Sequence, residues 1–103
     1  MDRIAQLQTF LAQTPKDNFV RHALALEYIK AGNDVAARVL FEELLADSPD
    51  YTGSYYHLGK LYERSHLTDL AIACYEKGMA AAKQAGEKHA YNELQSAYED
   101  LVY

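Results

Sequence analysis

The sequence repeats itself after 34 residues, and this period limits the fold more than any other feature. When the chain is shifted by 34 positions, small, aromatic and proline residues fall on residues of similar type. The matched pairs are Pro15 and Pro49, Leu24 and Leu58, Ala25 and Gly59, Tyr28 and Tyr62, Ala37 and Ala71, and Phe41 and Tyr75. A period of 34 with these residue types is typical of a repeat made of two helices joined by a turn. One such repeat cannot bury its apolar side alone, so neighbouring copies must stack.

Length and composition exclude several classes of protein. A chain of 103 residues, half of them hydrophobic, is long enough for one core. The net charge of −5 argues against nucleic acid as a partner, because phosphate binding requires a basic surface. The single cysteine, Cys74, excludes an internal disulfide and a cysteine-rich zinc site. No signal peptide is recognisable, and no apolar run reaches the ~18 residues of a membrane span. We therefore expect a soluble, cytoplasmic protein.

Apolar residues recur three or four positions apart between turn residues, which predicts about six helices. Residues 35–46, for example, carry an apolar stripe of Val39, Leu40, Leu44 and Leu45. The residues predicted to cap the first, second, third and fifth helices are Asp2, Asp17, Asp34 and Thr68. The predicted stops after the first, second, third and fifth helices are Pro15, Gly32, Pro49 and Gly86. No segment alternates with a period of two, so we predict an all-α fold without strands.

Three segments share one motif. They read Arg21-x-x-Leu24-Ala25-x-x-Tyr28 with Ala37-x-x-x-Phe41, Tyr55-x-x-Leu58-Gly59-x-x-Tyr62 with Ala71-x-x-x-Tyr75, and Tyr91-x-x-Leu94-Gln95-x-x-Tyr98. Over about ninety residues the chain thus resembles a small, bacterial-type member of the tetratricopeptide repeat family. The first copy lacks the opening aromatic residue, which is Arg21 here, and the third copy carries Gln95 in a small-residue position. The alternative is an ordinary helical bundle with coincidental spacing.

The resemblance implies a right-handed superhelix of antiparallel helix hairpins within a single domain, residues 1–103. Its predicted parts are an N-terminal half-repeat helix (1–14), a first repeat (17–50), a second repeat (51–84) and a C-terminal capping helix (87–103). Gln95 suits such a cap, because a long polar side chain obstructs the close approach of another helix.

The resemblance also implies a concave face, lined by the first helix of each pair, that binds a peptide or a partner helix. The residues that match this lining are Phe19, His22, Ala23, Leu26 and Lys30, then Gly53, Tyr56, His57, Lys60 and Arg64, then His89, Asn92, Glu93, Ser96 and Asp100. Phe19 and Leu26 suggest an interaction patch, because a monomer has little reason to expose them. The alternative is that both pack against a neighbouring helix.

Charged and imidazole groups on this face have two interpretations each. Lys60 and Arg64 lie one turn apart and could hold a carboxylate, or they pair with Glu63 or with the acidic last helix. Some members of the family clamp a chaperone's terminal carboxylate at positions that carry His22, Leu26 and His57 here, so this clamp is not implied. Three histidines on the face could bind zinc or respond to pH. No helix carries a His-x-x-x-His pair, and we predict no metal site and no cofactor.

Catalytic motifs are absent from the sequence, so we predict a non-catalytic module that binds another protein. Cys74 lies in mid-helix beside Ala71 and Tyr75, where a buried structural thiol is expected. The alternative function is self-association as a homodimer through open end faces or the groove. In that case Leu7, Phe10 and Leu11 of the first helix would pair with a second copy.

Overall fold

The structure is a computed structural model that describes residues 2–103. Over these residues the chain forms six α-helices and no strand, which confirms the all-α prediction. The helices are α1 (Arg3–Gln13), α2 (Asn18–Lys30), α3 (Asp34–Asp47), α4 (Gly53–Arg64), α5 (Thr68–Ala85) and α6 (Lys88–Val102). They are grouped in two compact units, Met1–Ser48 with α1 to α3 and Pro49–Tyr103 with α4 to α6.

The predicted cap residues are correct at the starts of two helices and wrong by one residue at the starts of two others. Asp2 and Asp17 accept hydrogen bonds from backbone N–H groups three residues on, as predicted. The prediction for α3 was wrong, because Asn33 is the last non-helical residue and its side chain accepts from the N–H of Ala36 at 3.2 Å. Thr68 is likewise the first helical residue of α5. Leu67 stands at its cap position and makes no side-chain cap hydrogen bond.

The turns that precede α3 and α5 have the same geometry but different residues. Gly32 ends α2 with a φ of 80°, in the left-handed region that favours glycine. The residue 34 positions later is His66, which adopts a φ of 60° without that freedom. The left-handed conformation costs a residue with a Cβ about 1–2 kcal/mol. The second hairpin therefore contains a strained turn that the first avoids.

In the first unit, α2 packs against both α1 and α3. Its core includes Leu7 of α1, Leu24 and Ala25 of α2, and Phe41 of α3, each at most 4% exposed. Val39 was predicted to belong to the apolar stripe of α3, but its side chain is 45% exposed. Leu40, predicted for the same stripe, is buried. Successive residues of a helix lie about 100° apart, so the side chain of Val39 lies off the packed face.

Arg21, in the aromatic position of the motif, is a buried cation of the first unit. Its side chain is 4% exposed and reaches Asp47 of α3, with 2.7 Å between Nη1 and Oδ2. Nη2 also donates to the backbone oxygen of Lys16 and to Asn18. The hydrogen bond from Arg21 holds the pKa of the Asp47 carboxyl below its usual value.

In the second unit Tyr55, the residue 34 positions later, donates to the backbone oxygen of Pro49 at 2.5 Å. Both residues tie a helix to the loop before it.

In the second unit, α5 packs against both α4 and α6, and α4 also contacts α6. Helices α4 and α5 approach closely at two glycines. A Cβ on Gly59 would overlap the ring of Tyr75, and a Cβ on Gly78 would lie 2.6 Å from Cβ of Tyr55. The hydroxyl of buried Thr52 donates to the carboxylate of Glu87 at 2.8 Å and so links the start of α4 to the turn before α6.

Candidate protein-binding site

In the first unit, the predicted binding residues on α2 are Phe19, His22, Leu26 and Lys30, which we call the α2 face. Phe19 is 72% exposed, whereas Leu26 is half-buried. The ring of half-buried His22 packs edge-on against Phe41, with 5.5 Å between ring centroids. Lys30 is exposed and lies 4.0 Å from Glu27. Phe19 is the residue of this set that offers a large apolar surface to a partner.

In the second unit, the predicted residues on α4 are Tyr56, His57, Lys60 and Arg64, which we call the α4 face. Tyr56 contacts both His57 and Lys60. The rings of Tyr56 and His57 meet edge to face at 5.8 Å, and the ammonium of Lys60 lies 5.5 Å from the centroid of the Tyr56 ring. Such an arrangement is within cation–π range. Arg64 is exposed in the last turn of α4.

Lys60 is also held by Glu63, the pairing that the sequence had left as an alternative to carboxylate binding. Nζ of Lys60 lies 3.5 Å from Oε2 of Glu63. The same carboxylate oxygen accepts a hydrogen bond from the hydroxyl of Tyr75, whose ring is fully buried in α5. Burial first, and then this hydrogen bond, raise the pKa of the Tyr75 hydroxyl. The sequence spacing of Lys60 and Glu63 predicts their contact, but nothing in the sequence indicates the bond from Tyr75.

The predicted residues on α6, His89 and Asn92, are both exposed. They lie in the first two turns of α6, on the helix that contacts α4. Glu93 beside them is close enough to His57 for its charge to act on the imidazole. The structure thus brings Glu93 to the α4 face.

His57 is the histidine of the α4 face, and burial lowers its pKa. The negative charge of Glu93 opposes this effect without reversing it. A histidine whose folded-state pKa lies below its unfolded value is protonated first in the unfolded chain. Above the unfolded value of about 6.5 the group contributes no pH dependence, and as the pH falls below it the folded state loses stability.

We therefore expect His57 to lower the melting temperature as the pH falls from about 6.5 to 5. His57→Gln should reduce this dependence. The pKa of the His57 imidazole, followed by NMR in the folded protein, should lie below the ordinary histidine value of about 6.5. Equal slopes for the wild type and His57→Gln would contradict the assignment.

Within residues 2–103, no three His, Cys, Asp or Glu side chains lie close enough together to hold a metal ion. None of the helices α1 to α6 is both long and apolar enough to cross a membrane. Cys74 is buried, and its sulfur lies 3.4 Å from the backbone oxygen of Tyr55, as expected of a structural thiol.

An apolar groove in the first unit was missed by sequence reasoning. It has a volume of about 550 Å³ and lies between α1 and α3, over α2. Its lining includes Leu11 and Ala12 of α1, Tyr28 of α2, and Val39 and Leu40 of α3. The available signal was the adjacent pair Val39 and Leu40, because two successive residues of a helix lie about 100° apart and do not both face the same neighbour.

Comparisons with known proteins identify the fold. No family model matches the sequence, and no curated protein matches it. Among solved structures, the chain is similar to the crystal structure of a tetratricopeptide repeat domain protein from Salinibacter ruber, with 48% identity and a TM-score of 0.80. The match covers 82% of this chain and 94% of that one. A solution structure of such a domain from the same organism matches with 48% identity and a TM-score of 0.80, covering 84% and 88% of the two chains.

A third similar structure, in solution, is that of a protein from Bordetella parapertussis. It is 25% identical, with a TM-score of 0.83, and the match covers 99% of this chain and 89% of that one.

Antiparallel helix hairpins built on a 34-residue period define the class of helical-repeat proteins, whose members are generally protein-interaction modules. With 48% identity over most of its length to a protein of known family, this chain belongs to the tetratricopeptide repeat family.

Proposed function

We propose that this protein is a non-catalytic module that binds a peptide or a helix of another protein on the concave face typical of its family. The candidate residues are the α2 face in the first unit and the α4 face in the second. The exposure of Phe19 carries the proposal. The Phe19 side chain is 72% exposed, whereas α2 packs against its neighbours through buried Leu24 and Ala25. A large exposed aromatic residue on an otherwise well-packed helix marks an interaction surface.

The α4 face supports the same function through a different kind of contact. Tyr56 and His57 are half-buried, so each is partly ordered by its surroundings and still reaches solvent. Aromatic residues with few rotatable bonds lose little conformational entropy when a partner binds them. The contacts of Tyr56 with His57 and with Lys60 order this face before a partner binds.

The test is capture of a partner by variants that keep their fold. Phe19→Ala and Tyr56→Ala should retain the helix content of the wild type, because neither residue belongs to the fully buried core. Each should reduce partner capture from a lysate about tenfold or more, the effect of losing an interface hot spot. Val35→Ala removes a 66% exposed apolar side chain from α3 and is the matched control. If both variants capture the partner as well as Val35→Ala does, the proposal is wrong.

Self-association is the second candidate, and the exposure of Phe10 favours it. Phe10 is 55% exposed on α1, whereas Leu7 is buried in the first unit at 4% and Leu11 is half-buried. Of the three residues named from the sequence, Phe10 is therefore the main apolar surface for a second copy. Sedimentation at several concentrations separates the candidates: a concentration-dependent dimer that Phe10→Ala abolishes supports this one, and a strict monomer removes it.

A further inference from the structure

Lys60 belongs to a chain of contacts that runs from the core of the second unit to its surface. The buried hydroxyl of Tyr75 donates to Glu63, Glu63 lies 3.5 Å from the ammonium of Lys60, and Lys60 lies over the ring of Tyr56. The side chains of Lys60 and Glu63 are 36% and 26% exposed. Lys60, one of the two cations of the α4 face, is therefore already engaged by a carboxylate of its own helix.

We propose that Glu63 is a specificity-determining residue of the α4 face, which engages Lys60 and so excludes partner segments that place a carboxylate there. This inference rests on the proposed function, since it concerns which partner the same face accepts. The segments that fit present an uncharged side chain to Tyr56 and Lys60.

Two features make Glu63 a stronger competitor than an ordinary surface carboxylate. First, Glu63 is held by Tyr75 as well as by Lys60. Moving its carboxylate away from Lys60 therefore also strains or breaks the hydrogen bond from Tyr75. A buried hydroxyl that loses its acceptor is costly. Second, an incoming carboxylate at Lys60 would lie within a few ångströms of Glu63, where like charges repel. An isolated ion pair at this exposure would be weak, so the bond from Tyr75 makes the difference.

The experiment compares two synthetic peptides on the wild type and on Glu63→Gln. The acidic probe alternates glutamate and leucine and has a free carboxyl end; the neutral probe replaces glutamate with glutamine and ends in an amide. Binding is followed by the backbone NMR signals of Tyr56 and Lys60. Glu63→Gln should bind the acidic probe about tenfold more tightly than the wild type does, with affinity for the neutral probe unchanged. The glutamine keeps an acceptor for the Tyr75 hydroxyl, which preserves the fold.

Three controls connect the result to Lys60. Glu43→Gln on α3 makes the same change in net charge and should have no effect. The double variant Lys60→Gln with Glu63→Gln should return the affinity for the acidic probe to the wild-type level. Tyr75→Phe leaves Glu63 without its anchor and should raise this affinity by a smaller factor, which provides a second test if Glu63→Gln is poorly folded.

The inference is overturned if the wild type and Glu63→Gln bind the acidic probe equally, or if neither binds it. It is also overturned if Glu43→Gln has the same effect as Glu63→Gln. The proposed function is judged separately, by partner capture with Phe19→Ala and Tyr56→Ala. A protein that captures its partner through these residues but shows no change in charge preference retains its function and loses this inference.

Discussion

Arg21→Ala is expected to lower the free energy of unfolding by about 3 kcal/mol, because it removes a buried side chain that makes three hydrogen bonds. The substitution leaves a cavity beside α3 and takes a donor from Asp47, from Asn18 and from the backbone oxygen of Lys16. Asp47 itself, 38% exposed, can be solvated by water, which keeps the loss below that of a fully buried ion pair. Urea unfolding followed by circular dichroism measures the change.

Arg3→Ala provides the control of the same residue type. Arg3 also faces a carboxylate, with 3.7 Å between its Nε and Oε1 of Glu27, but its side chain is 58% exposed. Loss of such a surface pair should cost about 0.5 kcal/mol or less. If both variants lose the same stability, burial is not what makes Arg21 important.

A second substitution of Arg21 tests whether an aromatic hydroxyl can replace the guanidinium in this position of the motif. Arg21→Tyr introduces the residue that the second unit uses, where Tyr55 ties α4 to the preceding loop. It also removes Nε of Arg21, a buried donor with no acceptor among residues 2–103. We expect Arg21→Tyr to recover most of the stability that Arg21→Ala loses.

Gly59→Ala should destabilise the protein by about 2 kcal/mol, although alanine is the better helix former. The new Cβ would lie 2.6 Å from Cζ and 2.8 Å from Cδ1 of Tyr75, and closer still to Cε1. The ring has little room to move, because it is fully buried and its hydroxyl is bonded to Glu63. Overlap therefore outweighs the gain of about 1 kcal/mol in helix propensity. Thermal and urea unfolding would reveal the opposite result, a stabilised variant, as readily as the expected one.

The first unit suggests a compensating change at Tyr75. Ala25 and Phe41 occupy the matching positions there and are both fully buried, so an Ala–Phe pair is compatible with this packing. Adding Tyr75→Phe to Gly59→Ala removes the anchoring hydroxyl and lets the ring shift. The double variant should be more stable than the sum of the single effects predicts. Strict additivity would show that the two side chains do not limit one another.

Much of the fold followed from local chemistry along the chain. The caps at Asp2 and Asp17 and the left-handed glycines at Gly32 and Gly86 lie where the sequence indicated. These signals are reliable because each depends on a few neighbouring residues. Prediction failed by one residue at Asn33 and Asp34, since both side chains can cap and the backbone decides between them. It placed the turn between Arg64 and Thr68 but not the left-handed backbone of His66, because a left-handed residue other than glycine has no clear sequence signal.

The candidate site was less predictable than the fold. Helical spacing placed Tyr56, Lys60 and Glu63 near one another, since residues three or four apart share a face. It could not show that Tyr75 reaches Glu63 from another helix, or that Leu7 is buried and Phe10 is exposed. Those facts depend on which helix packs against which side.

The sequence by itself determined the number of helices, most of their ends and the tetratricopeptide character of the chain, because periodicity, caps and small-residue positions are local properties. Only the tertiary structure decided that Arg21 is a buried cation, that Gly59 accommodates the ring of Tyr75, and that Tyr75 donates a hydrogen bond to Glu63. Each of these joins residues 12 or more positions apart or depends on a contact between helices. Distances of that kind are fixed when helices pack, and no single stretch of sequence contains them.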